Sequence, residues 1–208
     1  MSVEVTAVIP AYNEAGRIGK TVQSVALHVD EVIVIDDNSQ DNTLEEAKQA
    51  GAIVINQPQN QGYIAAIKRG FQAASGDIVV TIDADGEFPA NRIPDLVQPI
   101  LEDRADMVQG KRNFTPRPSE RILTWLAKLK GPVGDSGTGF RALKTDLARI
   151  LTLRGACICG IFSLEVLDKG GRILQIPVHL VNVDKPRRIA WYHIQQFFYL
   201  LPWLFKRI

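Results

Sequence analysis

Two cysteines stand in the 208 residues, and both fall in one tripeptide, Cys157-Ile158-Cys159. Thiols two positions apart make a poor disulfide, and two ligands are too few for a structural zinc site. They are expected as reduced, buried thiols. The chain lacks an uncharged run of the ~20 apolar residues that a membrane-spanning helix needs. The nearest approach, "IAWYHIQQFFYLLPWLFKRI" from Ile189 to Ile208, is too polar and is interrupted by Pro202. No amino-terminal signal is expected, because "MSVEVTAVIP" opens directly on a strand pattern. There is no basic excess either: the formal net charge of +1 argues against a dedicated nucleic-acid binder. Finally, neither G-x-G-x-x-G after the first strand nor G-x-x-x-x-G-K-[ST] occurs, which removes most support for dinucleotide oxidoreductases and P-loop enzymes.

What is present fits one soluble domain with a substantial core, at 46% hydrophobic and 23% charged residues. The charge is unevenly spread. Lys111 to Lys130 carries six basic residues and one acid, and Asp184 to Ile208 carries five and one, leaving 13 basic against 21 acidic elsewhere. Two cationic surfaces on an anionic body call for an anionic partner.

In the first half, short apolar runs alternate with amphipathic ones. "VEVTAVI", "EVIVI", "AIVIN" and "DIVVTI" read as strands. Glu14 to His28, Thr43 to Ala50 (capped by Asp41 or Asn42), Asn60 to Ser75 and Ile93 to Leu101 read as helices. This is the pattern of an α/β fold, a mostly parallel sheet covered on both faces. The second half is less regular. "DMVQG" and "RILQIPVHLVNV" read as strands, the latter on an edge or bulged at Pro177. Pro118 to Lys130 and "FSLEVLDKG" read as helices, and "GDSGTGFRALK" as a loop. No repeat or linker interrupts the chain.

In parallel sheets ligands bind beyond the carboxyl ends of the strands. "PAYNEA", "DDNSQDNT" and "DADGEF" all fall there, bringing Glu14, Asp36, Asp37, Asp41, Asp83, Asp85 and Glu87 to one rim. Carboxylates meet phosphate only through an intermediary. A hard divalent cation, Mg²⁺ or Mn²⁺, supplies it with one or two carboxylates plus phosphate oxygens. In an extended chain Asp83 and Asp85 face the same way. His28, His179 and His193 are expected to be structural.

The ordered motifs "VIPAYNE", "VIVIDDNSQDNT", "NQGYIAAIKRGF", "VVTIDADGEFP", "DMVQGKR", "DSGTGFRALK" and "FSLEVLDKGGRILQIPV" resemble the family-2 glycosyltransferases of the GT-A fold. Within them the chain is similar to the polyprenyl-phosphate sugar transferases, over roughly Val3 to Val181. The resemblance implies a nucleotide-sugar half over residues 1–112, an acceptor half over 113–188 and an amphipathic C-terminal helix over 189–208. It implies that Pro10, Tyr12, Glu14, Ile35 and Asp37 line the nucleotide pocket, Asp37 reading the base edge. Asp83, Ala84 and Asp85 would bind the sugar nucleotide, with Asp83, Asp85 and Glu87 on the metal. Arg112 would contact the diphosphate, Asp135 would lie near the acceptor, and Thr138 and Arg141 belong to the same acceptor element, with Thr138 in place of the family's Ser. The family's Arg and G-x-S-K signature is absent. "NVDKPRRIAW" stands there, with Lys185, Arg187 and Arg188 as the cations to grip phosphate. Glu165 is an even choice between a solvated helix face and a site residue.

The implied reaction is inverting transfer of a hexose from GDP-mannose or UDP-glucose to a polyprenyl or dolichyl phosphate. An anionic lipid phosphate needs little base, whereas a hydroxyl acceptor would need one, and Asp135 is the candidate. The aromatic and basic C-terminal stretch is expected to lie on the cytoplasmic face of a membrane, with packing on the sheet or a homodimer contact as the alternatives. A sugar-1-phosphate nucleotidyltransferase would also use such a sheet. It should, however, open with a Gly-rich basic loop that "PAYNEAGRI" does not match.

Overall fold

Seven strands, each short and rich in aliphatic residues, build the core. The structure is a computed structural model and describes residues 3–113, 118–181 and 190–206. Lys185, Arg187 and Arg188 lie outside the described residues. In chain order the strands are β1 (Val5–Ala11), β2 (Glu31–Asp36), β3 (Ile53–Asn56), β4 (Ile78–Thr81), β5 (Met107–Arg112), β6 (Arg141–Lys144) and β7 (Ile173–Val178). They form one sheet in the order β3-β2-β1-β4-β6-β5-β7. All run parallel except β6, which is antiparallel to both neighbours.

The strands bury both faces, so successive residues enter different layers. Ala7 and Ile9 of β1, with Val34, Val80 and Val108, pack under α1 (Ile18–Ala26), α2 (Thr43–Gln49) and α4 (Ile93–Leu101). Val8, Ile33, Ile35, Val79 and Met107 pack on the other side under α3 (Tyr63–Ala73), α6 (Thr145–Ile150) and α7 (Ile161–Asp168). At about 1.5–3 kcal/mol for each fully buried aliphatic side chain, these two layers dominate the stability of the fold. α3 crosses the sheet so closely that a β-carbon at Gly70 would come within 2.1 Å of the Val8 side chain. A third apolar cluster joins α5 (Pro118–Lys128), α7 and α8 (Ala190–Phe205) through Leu123, Leu126, Ile161, Leu164 and Leu200.

The expected fold class therefore stands, with one correction. "GDSGTGFRALK" is a loop only in its first part, because "RALK" is the strand β6. It was masked in the sequence by its glycine-rich approach and its length of four residues. Ala142 fills one layer and Leu143 the other, and Phe140 just before the strand joins Ala142, so β6 is buried like the strands on either side of it. Pro177 does sit on an edge strand, opposite Lys111. Among the described residues no helix is long and apolar enough to cross a membrane.

The reversed strand matters for function. β6 pairs Arg141 with Thr81 near the carboxyl end of β4, so the loop before it, Asp135 to Gly139, starts at the rim where the parallel strands end. The rim is also a switch point: β1 lies between β2, which follows it, and β4, so the chain leaves β1 in both directions.

Candidate active site

The first two rim loops are stitched together by backbone amides of one and side chains of the other. The amides of Glu14, Ala15 and Gly16 donate to Thr43 Oγ1 (2.7 Å), Asp41 Oδ2 (3.2 Å) and Glu46 Oε2 (2.6 Å). The Gln40 amide donates to Asn13 Oδ1, and the Asn13 amide to Ser39 Oγ. Asp41 accepts from the Thr43 amide, whereas Asn42 makes no side-chain cap, which settles the capping alternative in favour of Asp41. Tyr12 stands at the lip, 46% exposed, while Pro10 and Ile35 are buried opposite one another at the ends of β1 and β2. Glu14 is buried and pairs with Arg17 at 2.6 Å.

Asp37 takes a different part from the one expected. Its carboxylate accepts three hydrogen bonds of 2.7 Å, from Gln57 Nε2 and from the amides of Gln61 and Gly62. It fixes the approach to α3 rather than presenting bare oxygens to a base. Gln57, which the sequence did not single out, is buried with it.

At the end of β4 the chain does not stay extended. It turns at Ala84 and Asp85, and Gly86 adopts φ +74°, where a side chain would be strained. The Ala84 methyl is in the core and its carbonyl accepts from Thr21 Oγ1 at 3.0 Å, so Ala84 anchors the turn instead of facing a ligand. Asp83 is hemmed in by protein. Tyr63 Oη donates to its Oδ1 at 3.0 Å, and a β-carbon at Gly139 would lie 2.2 Å from its Oδ2, so only glycine fits there. Burial, and then the neighbouring charge of Asp85, push the Asp83 carboxyl up to about 6. The same burial and the Asp83 charge push the Tyr63 phenol well above its ordinary value. Glu87 is buried beside them, its amide donating to Asp85 Oδ1 at 3.1 Å and its carbonyl accepting from the Val181 amide.

Across the rim the charges are resolved internally. Arg112, at the end of β5, reaches Asp135 with Nε (2.9 Å) and a terminal nitrogen (2.8 Å). The same terminal nitrogen reaches Glu120 Oε1 of α5 at 2.9 Å. The Arg112 and Glu120 side chains are only 3% and 4% exposed, and that of Asp135 only 10%. Burial pushes the Asp135 carboxyl up, but the hydrogen bonds and charge of Arg112 more than reverse this and hold it below the ordinary carboxylate range. Two expectations are affected. Arg112 divides its guanidinium between two carboxylates, and a carboxylate so held is a weaker proton acceptor, which counts against Asp135 as a general base.

Arg141 links the two sides. It is 1% exposed, donates to the Ser136 carbonyl at 3.0 Å and lies 4.5 Å over the Phe162 ring. It acts from behind the acceptor loop and has no open face for a phosphate. Thr138, also buried, accepts from the Phe140 amide. Glu165 accepts from the amide and hydroxyl of Thr152 and is structural. Glu120 and Tyr63 join the site without a local motif that marks them. Glu120 left a trace as the lone acid among the six basic residues of Lys111 to Lys130. Tyr63 looked like one more amphipathic helix residue.

Residues 6–163 match the family model described as "Glycosyl transferase family 2". The chain belongs to glycosyl transferase family 2. It is 34% identical to a dolichol-phosphate mannosyltransferase of Pyrococcus furiosus over 200 residues, covering 84% of this chain and 56% of that protein. It is 31% identical to a UDP-N-acetylglucosamine–dolichyl-phosphate N-acetylglucosaminyltransferase of Methanococcus voltae, covering 70% and 71%. A crystal structure of glucosyl-3-phosphoglycerate synthase from Mycobacterium tuberculosis in complex with UDP superposes with a TM-score of 0.79 at 27% identity, covering 97% of this chain and 80% of that one. The sheet of this family-2 glycosyltransferase is thus that of the GT-A enzymes. The resemblance read from "VIPAYNE" through "DADGEF" identified both family and fold.

Proposed function

We propose that this chain is an inverting, metal-dependent hexosyltransferase that moves mannose or glucose from GDP-mannose or UDP-glucose to a polyprenyl or dolichyl phosphate. One observation carries the reading: just past β4, at the switch point of the sheet, Asp83 and Asp85 stand two residues apart, with Asp83 Oδ1 held by Tyr63 Oη at 3.0 Å and a β-carbon at Gly139 due 2.2 Å from its Oδ2. Two carboxylates held together against their own repulsion suit a hard divalent cation, and oxygen donors of this kind select Mg²⁺ or Mn²⁺. Asp83, Asp85 and Glu87 are the residues that would hold it. When bound, such a cation offsets the charge of a diphosphate leaving group.

The chain's own groups do the rest. The stitched loops of Pro10 to Gly16 and Asp36 to Thr43 form the floor of a nucleotide site, with Tyr12 at its lip. Tyr63 holds Asp83 in one orientation and Gly139 closes against it. An acceptor phosphate oxygen attacks the anomeric carbon as the bond to the diphosphate oxygen breaks, which inverts that carbon. A phosphate is already ionised at neutral pH and requires no proton acceptor, in keeping with an Asp135 whose basicity Arg112 lowers. The polyprenyl-phosphate enzymes among its relatives support the lipid acceptor.

Residues 1–112 would carry the donor, 113–188 the acceptor and 189–208 the contact with the cytoplasmic face of a membrane. Tyr192, Phe198, Tyr199 and Phe205 of α8 and Trp125 of α5 are exposed in support of that contact. The deciding assay combines purified protein, Mn²⁺, radiolabelled GDP-mannose or UDP-glucose, and dolichyl phosphate in anionic vesicles. Label is expected in the lipid fraction, lost by about 10²–10³-fold in Asp85→Asn. Transfer only to water-soluble hydroxyl acceptors would overturn the lipid-phosphate part. Absence of metal-dependent nucleotide-sugar binding would overturn the whole reading.

A further inference from the structure

The two cysteines, too few for a metal by themselves, acquire a third ligand in the folded chain. Cys157 Sγ, Cys159 Sγ and an imidazole nitrogen of His193 all lie within 4.8 Å of one another, with Cys159 Sγ 3.9 Å from His193 Nε2. His193 is brought from α8, 34 residues along the chain. Ligand atoms bound tetrahedrally at about 2.0–2.3 Å sit roughly 3.3–3.8 Å apart, so closure on an ion needs only small rotations of side chains.

The surroundings hold these atoms ready. Gln196, fully buried one turn beyond His193, grips the cysteine loop with both ends of its amide. Its Oε1 accepts from the amides of Ala156 (2.9 Å) and Cys157 (3.1 Å), and its Nε2 donates to the Cys159 carbonyl at 3.0 Å. Ser119 of α5 lies 2.6 Å from His193 Nδ1. With the proton on Nδ1 donated to that hydroxyl, the Nε2 lone pair is turned toward the two thiols, the arrangement by which an outer partner fixes a metal-bound histidine. Cys159 and His193 are buried and Cys157 is half-buried, so an ion would approach from the Cys157 side.

We propose that Cys157, Cys159 and His193 bind one Zn²⁺, clasping α8 to the loop before α7 and, through Ser119, to α5. Binding displaces the two thiol protons and makes two thiolate–zinc bonds. Soft thiolates with imidazole disfavour Mg²⁺ and Mn²⁺, so this site is chemically separate from the carboxylates at the end of β4.

The test is titration of the whole 208-residue chain, stripped of metal and kept reduced, with Co²⁺. The expected result is a thiolate-to-cobalt charge-transfer absorption that saturates at equimolar metal and is displaced by Zn²⁺. His193→Ala and Cys159→Ser should weaken it by at least about 100-fold, and Ser119→Ala by about 10-fold. Cys157→Ser, at the most exposed ligand, serves if the buried variants do not fold. Co²⁺ on the Asp85 side gives no sulfur absorption, so Asp85→Asn should leave the signal unchanged. Absence of the charge-transfer band, or a band that survives both Cys157→Ser and His193→Ala, overturns the proposal.

Discussion

The two sides of the rim handle negative charge in opposite ways. At the end of β4, Asp83 and Asp85 stand together, and burial lifts Asp83 to about 6. At the end of β5, Asp135 and Glu120 share the guanidinium of Arg112, and Asp135 is held below its ordinary range. The β5 triad is closed off by protein, whereas Asp83 and Asp85 are each half-buried. The balance of neighbouring charge differs too: Arg112 holds Asp135 down, whereas on Asp83 the charge of Asp85 outweighs that of either Arg141 or Arg112. The β5 cluster is a finished structural unit. The β4 cluster is half-open and Asp83 is pushed up in it, which makes it the side where a divalent cation suits the proposed reaction.

The sharpest way to break this contrast is to take the cation away from the finished side. Arg112→Met leaves two carboxylates in a space that excludes water, and removing one member of a buried ion pair costs about 3–5 kcal/mol. The urea midpoint should fall accordingly. The triple replacement of Arg112, Glu120 and Asp135 by apolar residues of similar size should recover most of the loss. If Arg112→Met unfolded at the wild-type urea concentration, the triad would be a surface feature and the comparison would lose its basis.

A smaller effect of the opposite sign is expected on the other side. A carboxyl raised from 3.8 to about 6 in the folded chain binds its proton more tightly folded than unfolded. Its contribution is therefore most favourable below pH about 4 and is lost as the pH climbs through 6. The cost above that point is about 2–3 kcal/mol. Asp83→Asn, which keeps an acceptor for the Tyr63 hydroxyl, should raise the melting temperature of the metal-free protein by about 4–8 °C at pH 7.5 and hardly at all at pH 4. Saturating Mn²⁺ with nucleotide should narrow the gap by stabilising the wild type alone. Asp135 obeys the reverse rule: its stabilisation is full above the unfolded carboxylate range and fades as acid protonates it. A variant that stabilised equally at both pH values would show that shape, not charge, governs Asp83.

Much of this was legible beforehand, for physical reasons that can be named. Parallel strands buried on both faces are continuously apolar, and β1, β2 and β4 announce themselves. β6 is just as buried, but four residues behind a glycine-rich loop give no period to read. "DADGEF" revealed its acids, though not the turn at Gly86 that re-aims them. Pairings across the fold were out of reach. Arg112 with Asp135 spans 23 residues, and Asp37 with the Gln61 amide spans 24. Local sequence shows that a charge exists and is silent on which distant charge answers it. For the same reason Cys157 and Cys159 looked inert until α8 brought His193 to them.

The finest test of the contrast lies in the Tyr63 hydroxyl on the β4 side. Tyr63 donates to Asp83 and by doing so lowers the pKa that burial has raised. Tyr63→Phe removes the donor without changing the ring, so the Asp83 value should climb further above 6. A cation must compete with the proton for this carboxylate. At pH 6 the variant should therefore need about 3–10-fold more Mn²⁺ for half-maximal transfer. At pH 8, where both carboxyls are ionised, the requirement should return to that of the wild type. A purely positional role would penalise the variant equally at both pH values. That outcome would mean the hydroxyl aims Asp83 rather than setting its charge, and Asp83 would then be tuned by burial and by the charges of Asp85, Arg141 and Arg112.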